Sequence, residues 1–318
     1  MKDKILEMRK VYTQALIGHA EKDDRVVILE ADLMAAHGTK AFEDKFPERS
    51  FNVGVAEANM VGIASGLSLG GKIPFATTFA CFASRRAYDQ FFISSNYAQL
   101  NVKLVGTDPG ITATYNGGTH MGFEDVSMMR AIPNLVVFEP SDPVSLIKLM
   151  GQSLTHNGCT YMRMPRKECE VVYDEKQDFE LGKGVVVKDG TDVTIIAAGT
   201  VCVPESLKAA GLLEAEGLSV AVIDMHTIKP IDKALVLEYA KKTGIIITCE
   251  NHNINGGLGS AVAEVLGEYQ PTPIKRLGIN EKFGEVGGLD YLMGVYRLKA
   301  SQIAEDVKLF VDKNAKDK

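Results

Sequence analysis

Short apolar runs alternate with stretches of helical period through the first half of the chain. Ile5, Met8, Tyr12 and Leu16 share one face of a helix predicted over residues 4–20. Strands are predicted at 26–30, 51–55, 73–77, 102–106, 135–138 and 160–164, each a short apolar run. Between them the periodicity predicts helices over 56–69, 84–97, 124–131 and 143–155. Strands alternating with helices imply parallel pairing, with helices on both faces of the sheet. Residues 166–182 are charged and aperiodic, which predicts a linker between domains at 1–168 and 182–318. A second set follows, with strands at 193–197, 219–223 and 244–249 and helices over 203–216, 258–267 and 301–312. The expected fold class is α/β, two doubly wound domains with mainly parallel sheets, the second domain the smaller. The polar tail 312–318 is expected to fray.

Length agrees with that division, because 318 residues exceed the roughly 250–300 over which one core grows. A net charge of -6 lacks the electrostatic footprint of a nucleic-acid binder. A small anionic ligand would therefore be met by local Arg and His residues. The five cysteines are odd in number and contain no CxxC pair, which argues against a zinc site or a disulfide framework. A reducing cytoplasm fits that usage. Residues 1–16 alternate charges with apolar positions, unlike a signal peptide, and no segment approaches the ~18 apolar residues of a membrane span.

Open parallel sheets bind ligands beyond the carboxyl ends of their strands. Asp32, Glu57, Phe79, Phe82, Asp108 and Arg166 fall at such places, as do Glu250 and His252 in the second half. Glu57 opens a helix rich in Gly and Ala, where it is either a functional carboxylate or a first-turn acid favoured by the helix dipole. Phe79 and Phe82 form either core or a wall for a flat heterocycle. His120 ends a Gly/Thr-rich loop and could move a proton or simply sit at the surface.

Together these signals form an ordered series: Asp32-Leu33, then Gly54-Val-Ala-Glu-Ala-Asn-Met60, then Thr78-Phe-x-x-Phe-x-x-Arg85. Asn116-Gly-Gly-Thr-His120 and Pro133-Asn-Leu-x-Val-x-x-Pro-Ser-Asp142 follow. The series resembles the pyrimidine-binding domain of transketolases and of deoxyxylulose-phosphate synthases. Thr194-Ile-Ile-Ala-Ala-Gly-Thr200 and the run from Gly256 to Glu264 resemble the C-terminal domain of the same superfamily. The resemblance implies thiamine diphosphate as cofactor. Glu57 would bond N1′ of the aminopyrimidine and promote loss of the thiazolium C2 proton. Phe82 would stack on the pyrimidine, Phe79 and Arg85 would line its pocket, and Asp32 would lie towards the thiazolium. His120 would bind sugar hydroxyls and assist proton transfer, making Glu57 and His120 the catalytic pair. Arg9 and Arg166 match positions that hold a substrate phosphate.

The resemblance has departures at the substrate end. Asp108 stands where transketolases have His, and Pro109 where the synthases have Arg. Asn116 replaces an Asp that reads a hydroxyl, and Ala36, beside His37, replaces a Ser. His37, Asp108 and Asn116 join Arg9, His120 and Arg166 as expected substrate contacts. The Gly-Asp-Gly of the metal–diphosphate site is absent, and the nearest string, Lys188-Asp-Gly190, reads as a hairpin turn. The resemblance thus implies a split enzyme with no metal ligands in this chain. An N-terminal transketolase-like partner would hold the diphosphate with Mg²⁺ or Ca²⁺, two copies of each chain closing the assembly. The expected activity is transfer of a two-carbon ketol unit between sugar phosphates. Alternatives are the β subunit of a 2-oxo acid dehydrogenase E1, a deoxyxylulose-phosphate-synthase-like enzyme, or a non-catalytic half that stabilises its partner. An NAD-binding Rossmann motif fails, because Val262 stands where Gly257-Leu-Gly259 would need Gly or Ala.

Overall fold

Lys103–Thr107 is buried along its whole length and forms the centre of a seven-stranded sheet. On one side of it lie Ile73–Phe79, Val26–Glu30 and Ser50–Asn52. On the other lie Thr160–Met164, Val136–Phe138 and Thr227–Lys229. All neighbours are parallel except the last pair. Successive side chains leave a strand on opposite faces. Phe75 and Val105 accordingly join Tyr12, Leu16 and Leu149 in one core, whereas Ala76 and Leu104 join Met60, Val61 and Phe91 in another. Helices therefore cover both faces. The computed structural model describes residues 5–316.

A five-stranded sheet organises the second half, in the order Ile274–Ile279, Ile246–Asn253, Val193–Ala197, Val220–Asp224, Val185–Lys188. Only the last strand is antiparallel. Ile195, Val222 and Ile247 face one core, and Ile196, Ile223 and Ile246 the other. The α/β class with two mainly parallel sheets is as the sequence indicates.

Several local expectations give way to tertiary pairing. Residues 5–7 are not helical: Ile5–Glu7 pairs antiparallel with Glu168–Glu170, and the helix begins at Met8. The segment expected as a bare linker is thus tied to the first domain, and Tyr173 and Phe179 are buried in its core. The span 84–97 is three pieces, Ala80–Arg85, Tyr88–Gln90 and a π-helical Phe91–Tyr97. Lys188-Asp-Gly190 is not a hairpin turn, because Val220–Asp224 lies between the strands that flank it. The terminal helix, Ala300–Lys316, carries most of the tail expected to fray; residues 317 and 318 lie outside the described residues. Among the described residues, no helix is long and apolar enough to cross a membrane.

The two halves interlock. Thr227–Lys229 leaves the second half to pair with Val136–Phe138. Arg163, fully buried, donates through Nε and Nη2 to Asp125 (2.7 and 3.0 Å) and through Nη1 to Glu139 (2.5 Å). Its Nη2 also reaches the Asn251 carbonyl at 3.1 Å. A buried cation is costly to strip of its acceptors, and of these the Asn251 carbonyl is the one supplied by the second half.

Candidate active site

Glu57 is the first residue of the helix Glu57–Leu69, reached from Ser50–Asn52 through Gly54, whose φ of 73° suits a residue without Cβ. It is 5% exposed. Arg86 Nη1 lies 2.9 Å from its Oε1, and the guanidinium carbon sits 3.8 Å from the centre of the Phe82 ring. Phe79 closes its strand, and Phe82 lies one turn into the next helix. The strand end and the helix start therefore put both rings in one wall, 5.8 Å apart and edge to face. His120 packs edge-on to both rings, 5.5 Å from Phe79 and 5.2 Å from Phe82. Its Nδ1 is 2.9 Å from Thr119 Oγ1.

Behind the wall, His37 is fully buried and packs edge-on to Phe79 at 5.9 Å. Its Nδ1 meets Glu30 Oε2 at 2.7 Å and its Nε2 meets Thr107 Oγ1 at 3.0 Å. Both ring nitrogens are thus engaged inside the chain, and the contact it makes towards the wall is with Phe79. Beyond Phe79, the Arg166 guanidinium lies 4.6 Å from the ring centre. Asp108 holds it there. Its Oδ2 accepts from Nε and Nη2 at 2.5 Å each, and its Oδ1 from the Arg166 N–H at 2.8 Å. Asp108 has φ of 48° and is buried, so its carboxylate serves Arg166. Arg9 joins this end through its N–H, which donates to the Arg166 carbonyl at 3.0 Å. Its side chain reaches Glu7 (2.6 Å from Nε) and the Ala36 carbonyl (3.1 Å).

The His120 loop is braced from the second half. The Gly118 Cα faces Gly284 so closely that a Cβ on Gly284 would fall 2.7 Å from it and 2.5 Å from Met121 Sδ. Tyr296 Oη fixes that turn by donating to the Phe283 carbonyl at 2.8 Å.

Glu57, Phe79, Phe82, His120, Asp108, Arg166 and Arg9 therefore belong to one connected set, Arg86 joining Glu57 to Phe82 and the backbone joining Arg9 to Arg166. Other expected residues stand apart from its centre. Arg85 turns to Glu124 (3.0 Å) and the Thr119 carbonyl (3.3 Å); the guanidinium at Glu57 belongs to Arg86. Asp32 is exposed, with φ of 62°, and is bonded to Asn52. Asn116 is exposed at the end of a 3₁₀ turn. Glu250 and His252 are buried at the joint between the halves. Glu250 accepts the Leu258 and Gly259 N–H groups, which open a helix, at 2.7 and 2.8 Å. Burial raises its pKa to about 7 and lowers that of His252 to about 4. Sequence reasoning passed over Arg86; the adjacent Arg85-Arg86 pair, one turn after Phe82, was the available signal. Among the described residues, no group of three or more His, Cys, Asp or Glu is placed to hold a metal ion.

Residues 4–171 match the transketolase pyrimidine-binding domain, and residues 182–303 the transketolase C-terminal domain. The chain belongs to the transketolase family. It is 49% identical over 93% of its length to a 6-deoxy-6-sulfo-D-fructose transketolase subunit of Clostridium sp. (strain MSTE9), covering 92% of that protein. It is 42% identical over 94% of its length to a putative transketolase C-terminal section of Methanocaldococcus jannaschii, covering 95% of it. A solved split gene transketolase, an inactive β4 tetramer, superposes with a TM-score of 0.88 at 40% identity, over 96% of this chain and 98% of that one. Against the undivided transketolase of Homo sapiens, identity is 35% over 96% of this chain but only 49% of that protein. This transketolase-family chain thus corresponds to the C-terminal section of its undivided relatives.

The aromatic wall suits the family's cofactor. Phe82 is half-buried and shares Arg86 with the buried Glu57 carboxylate, so the wall supplies an aromatic ring and a nearby acid, the two groups an aminopyrimidine would need.

Proposed function

We propose that this chain is the C-terminal subunit of a split transketolase. In this reading it transfers a two-carbon ketol unit between sugars with a terminal anionic group and acts only with a partner that binds the cofactor diphosphate through Mg²⁺ or Ca²⁺. The observation that carries the reading is the buried Glu57 carboxylate beside the Phe79–Phe82–His120 cluster. Thiamine diphosphate, when bound, supplies the nucleophilic carbon and the electron sink of the reaction. The chain does the rest of its half. Glu57 takes a hydrogen bond from the aminopyrimidine edge, and Arg86 balances its charge. Phe82 offers the stacking face, with Phe79 closing the pocket behind it. His120, steadied by both rings, donates to sugar oxygens and moves a proton to or from them. His37 supports Phe79, while Arg9 and Arg166 receive the anionic tail. Asp32 and Asn116 line the approach on the exposed side. The domains at 1–168 and 182–318 divide the labour, the second bracing the His120 loop.

Sugar phosphates are one reading of the substrates. A sulfonated donor is the other, favoured by the 49% identity to the 6-deoxy-6-sulfo-D-fructose transketolase subunit. The inactive β4 tetramer of a split gene transketolase and the match to a C-terminal section support a partner subunit; closed symmetry favours two of each chain in the assembly. A donor and acceptor screen with the reconstituted pair tests the activity. Product two carbons longer than the acceptor is expected, and transfer of acyl groups from 2-oxo acids alone would refute it.

A further inference from the structure

The end of the site formed by Arg9 and Arg166 carries less positive charge than its two arginines suggest. Arg166 is opposed by Asp108 through three contacts of 2.5 to 2.8 Å. Arg9 is opposed by Glu7, whose other oxygen takes Lys10 at 2.5 Å. Three cations against two carboxylates leave one positive charge. The remaining charged groups around this end do not raise it. Lys167 is bonded to Thr114 Oγ1 at 2.7 Å and is offset by exposed Glu168, which lies opposite Glu7 in the strand pair. Glu30 and His37 form a closed buried pair that packs on Phe79, and His120 packs edge-on to both Phe79 and Phe82. Nor do neutral donors compensate. Ala36 offers its carbonyl to Arg9 and has no hydroxyl, and Pro109, next to Asp108, has no N–H.

We propose that Asp108 sets the charge class of the substrate tail, so that the site prefers a singly charged anion such as a sulfonate over a phosphate dianion. The inference rests on the reading that Arg9 and Arg166 receive the tail. A second negative charge would meet the Asp108 carboxylate with no cation left to balance it. Among the described residues, Arg166 Nη1 makes no hydrogen bond to the chain, so the guanidinium keeps a free edge for one anion while Asp108 holds the other.

The experiment uses the enzyme assembled with its partner and two donors that differ only in the tail, 6-deoxy-6-sulfo-D-fructose and D-fructose 6-phosphate. The ratio of their kcat/KM values is measured from pH 5.5 to 7.5. A phosphate monoester loses its second proton near pH 6, whereas a sulfonate keeps one charge throughout. The preference for the sulfonate is expected to grow roughly 20-fold from pH 5.5 to 7.5, following the falling share of phosphate monoanion. Asp108→Asn is expected to flatten that dependence by restoring turnover of the dianion. A ratio that does not change with pH in the unaltered enzyme overturns the inference, whatever the variant does, while leaving ketol transfer standing. Turnover of neither donor would overturn the proposed function and this inference with it.

Discussion

Arg86 lies across the face of Phe82 while its Nη1 contacts Glu57 at 2.9 Å, so one cation touches both the stacking ring and the buried acid. Its side chain is 51% exposed, so a heterocycle taking the ring face would displace it from Phe82 while leaving it within reach of Glu57. Removing it leaves the Glu57 carboxylate without its nearest positive partner. Arg86→Ala is expected to lower kcat/KM of the assembled enzyme by about 10-fold or less, the exposed partner being partly screened. Unchanged kcat/KM would separate Arg86 from the chemistry.

Glu57→Gln keeps the size of the side chain and removes its acidity. We expect a loss of about 10²–10⁴-fold in turnover, the usual contribution of a positioned acid–base group. Thermal stability should hold or rise, since a buried carboxylate is replaced by a neutral amide. The readout is exchange of the cofactor's C2 proton followed by NMR; exchange at the unaltered rate would remove Glu57 from its assigned role.

Gly284→Ala tests the brace on the His120 loop. The added Cβ meets Met121 Sδ at 2.5 Å and Gly118 Cα at 2.7 Å, so the loop must shift. Catalysis should fall about 10-fold or more through misplacement of His120, with cofactor affinity little changed because Glu57 and Phe82 lie on other elements. Phe283→Ala is the control, since that side chain is 96% exposed. Equal effects of the two substitutions would mean that the turn does not position His120.

Asp224 gives a prediction about stability. Burial raises its pKa to about 7, against the hydrogen bond that Tyr173 Oη donates to Oδ2 at 2.7 Å. The folded state therefore holds the proton up to about pH 7, whereas the unfolded chain gives it up near pH 4. This group's contribution is undiminished below pH 4 and is lost as pH rises towards 7. Asp224→Asn keeps the bond from Tyr173 and carries no charge. Denaturant unfolding should show it more stable than the unaltered protein by about 1–4 kcal/mol at pH 7.5, with the gain vanishing near pH 4. A gain independent of pH would contradict the ionisation of Asp224.

Much of this was legible in the sequence, for identifiable reasons. Val193–Ala197 and Thr160–Met164 coincide with the predicted strands because an unbroken apolar run is the signature of a strand buried on both faces. Edge strands carry no such signature. Val185–Lys188, Thr227–Lys229 and Ile274–Ile279 went unread, being half-exposed or recruited across the domain joint. The helix Lys233–Thr243 also went unread, although Asp232 before it and Gly244 after it are recognisable caps. At the site, motif order brought Glu57, Phe79, Phe82 and His120 to notice. It could not show that Asp108 is spent on Arg166 or that His37 is closed off by Glu30 and Thr107, because those contacts join strand ends distant in the chain.

The central claim is that this chain holds only the activating half of a shared site. The direct measurement is calorimetric binding of thiamine diphosphate, with Mg²⁺ present, to this chain alone, to the partner alone and to the mixture. Tight binding is expected in the mixture only. Equally tight binding by this chain alone would contradict the account.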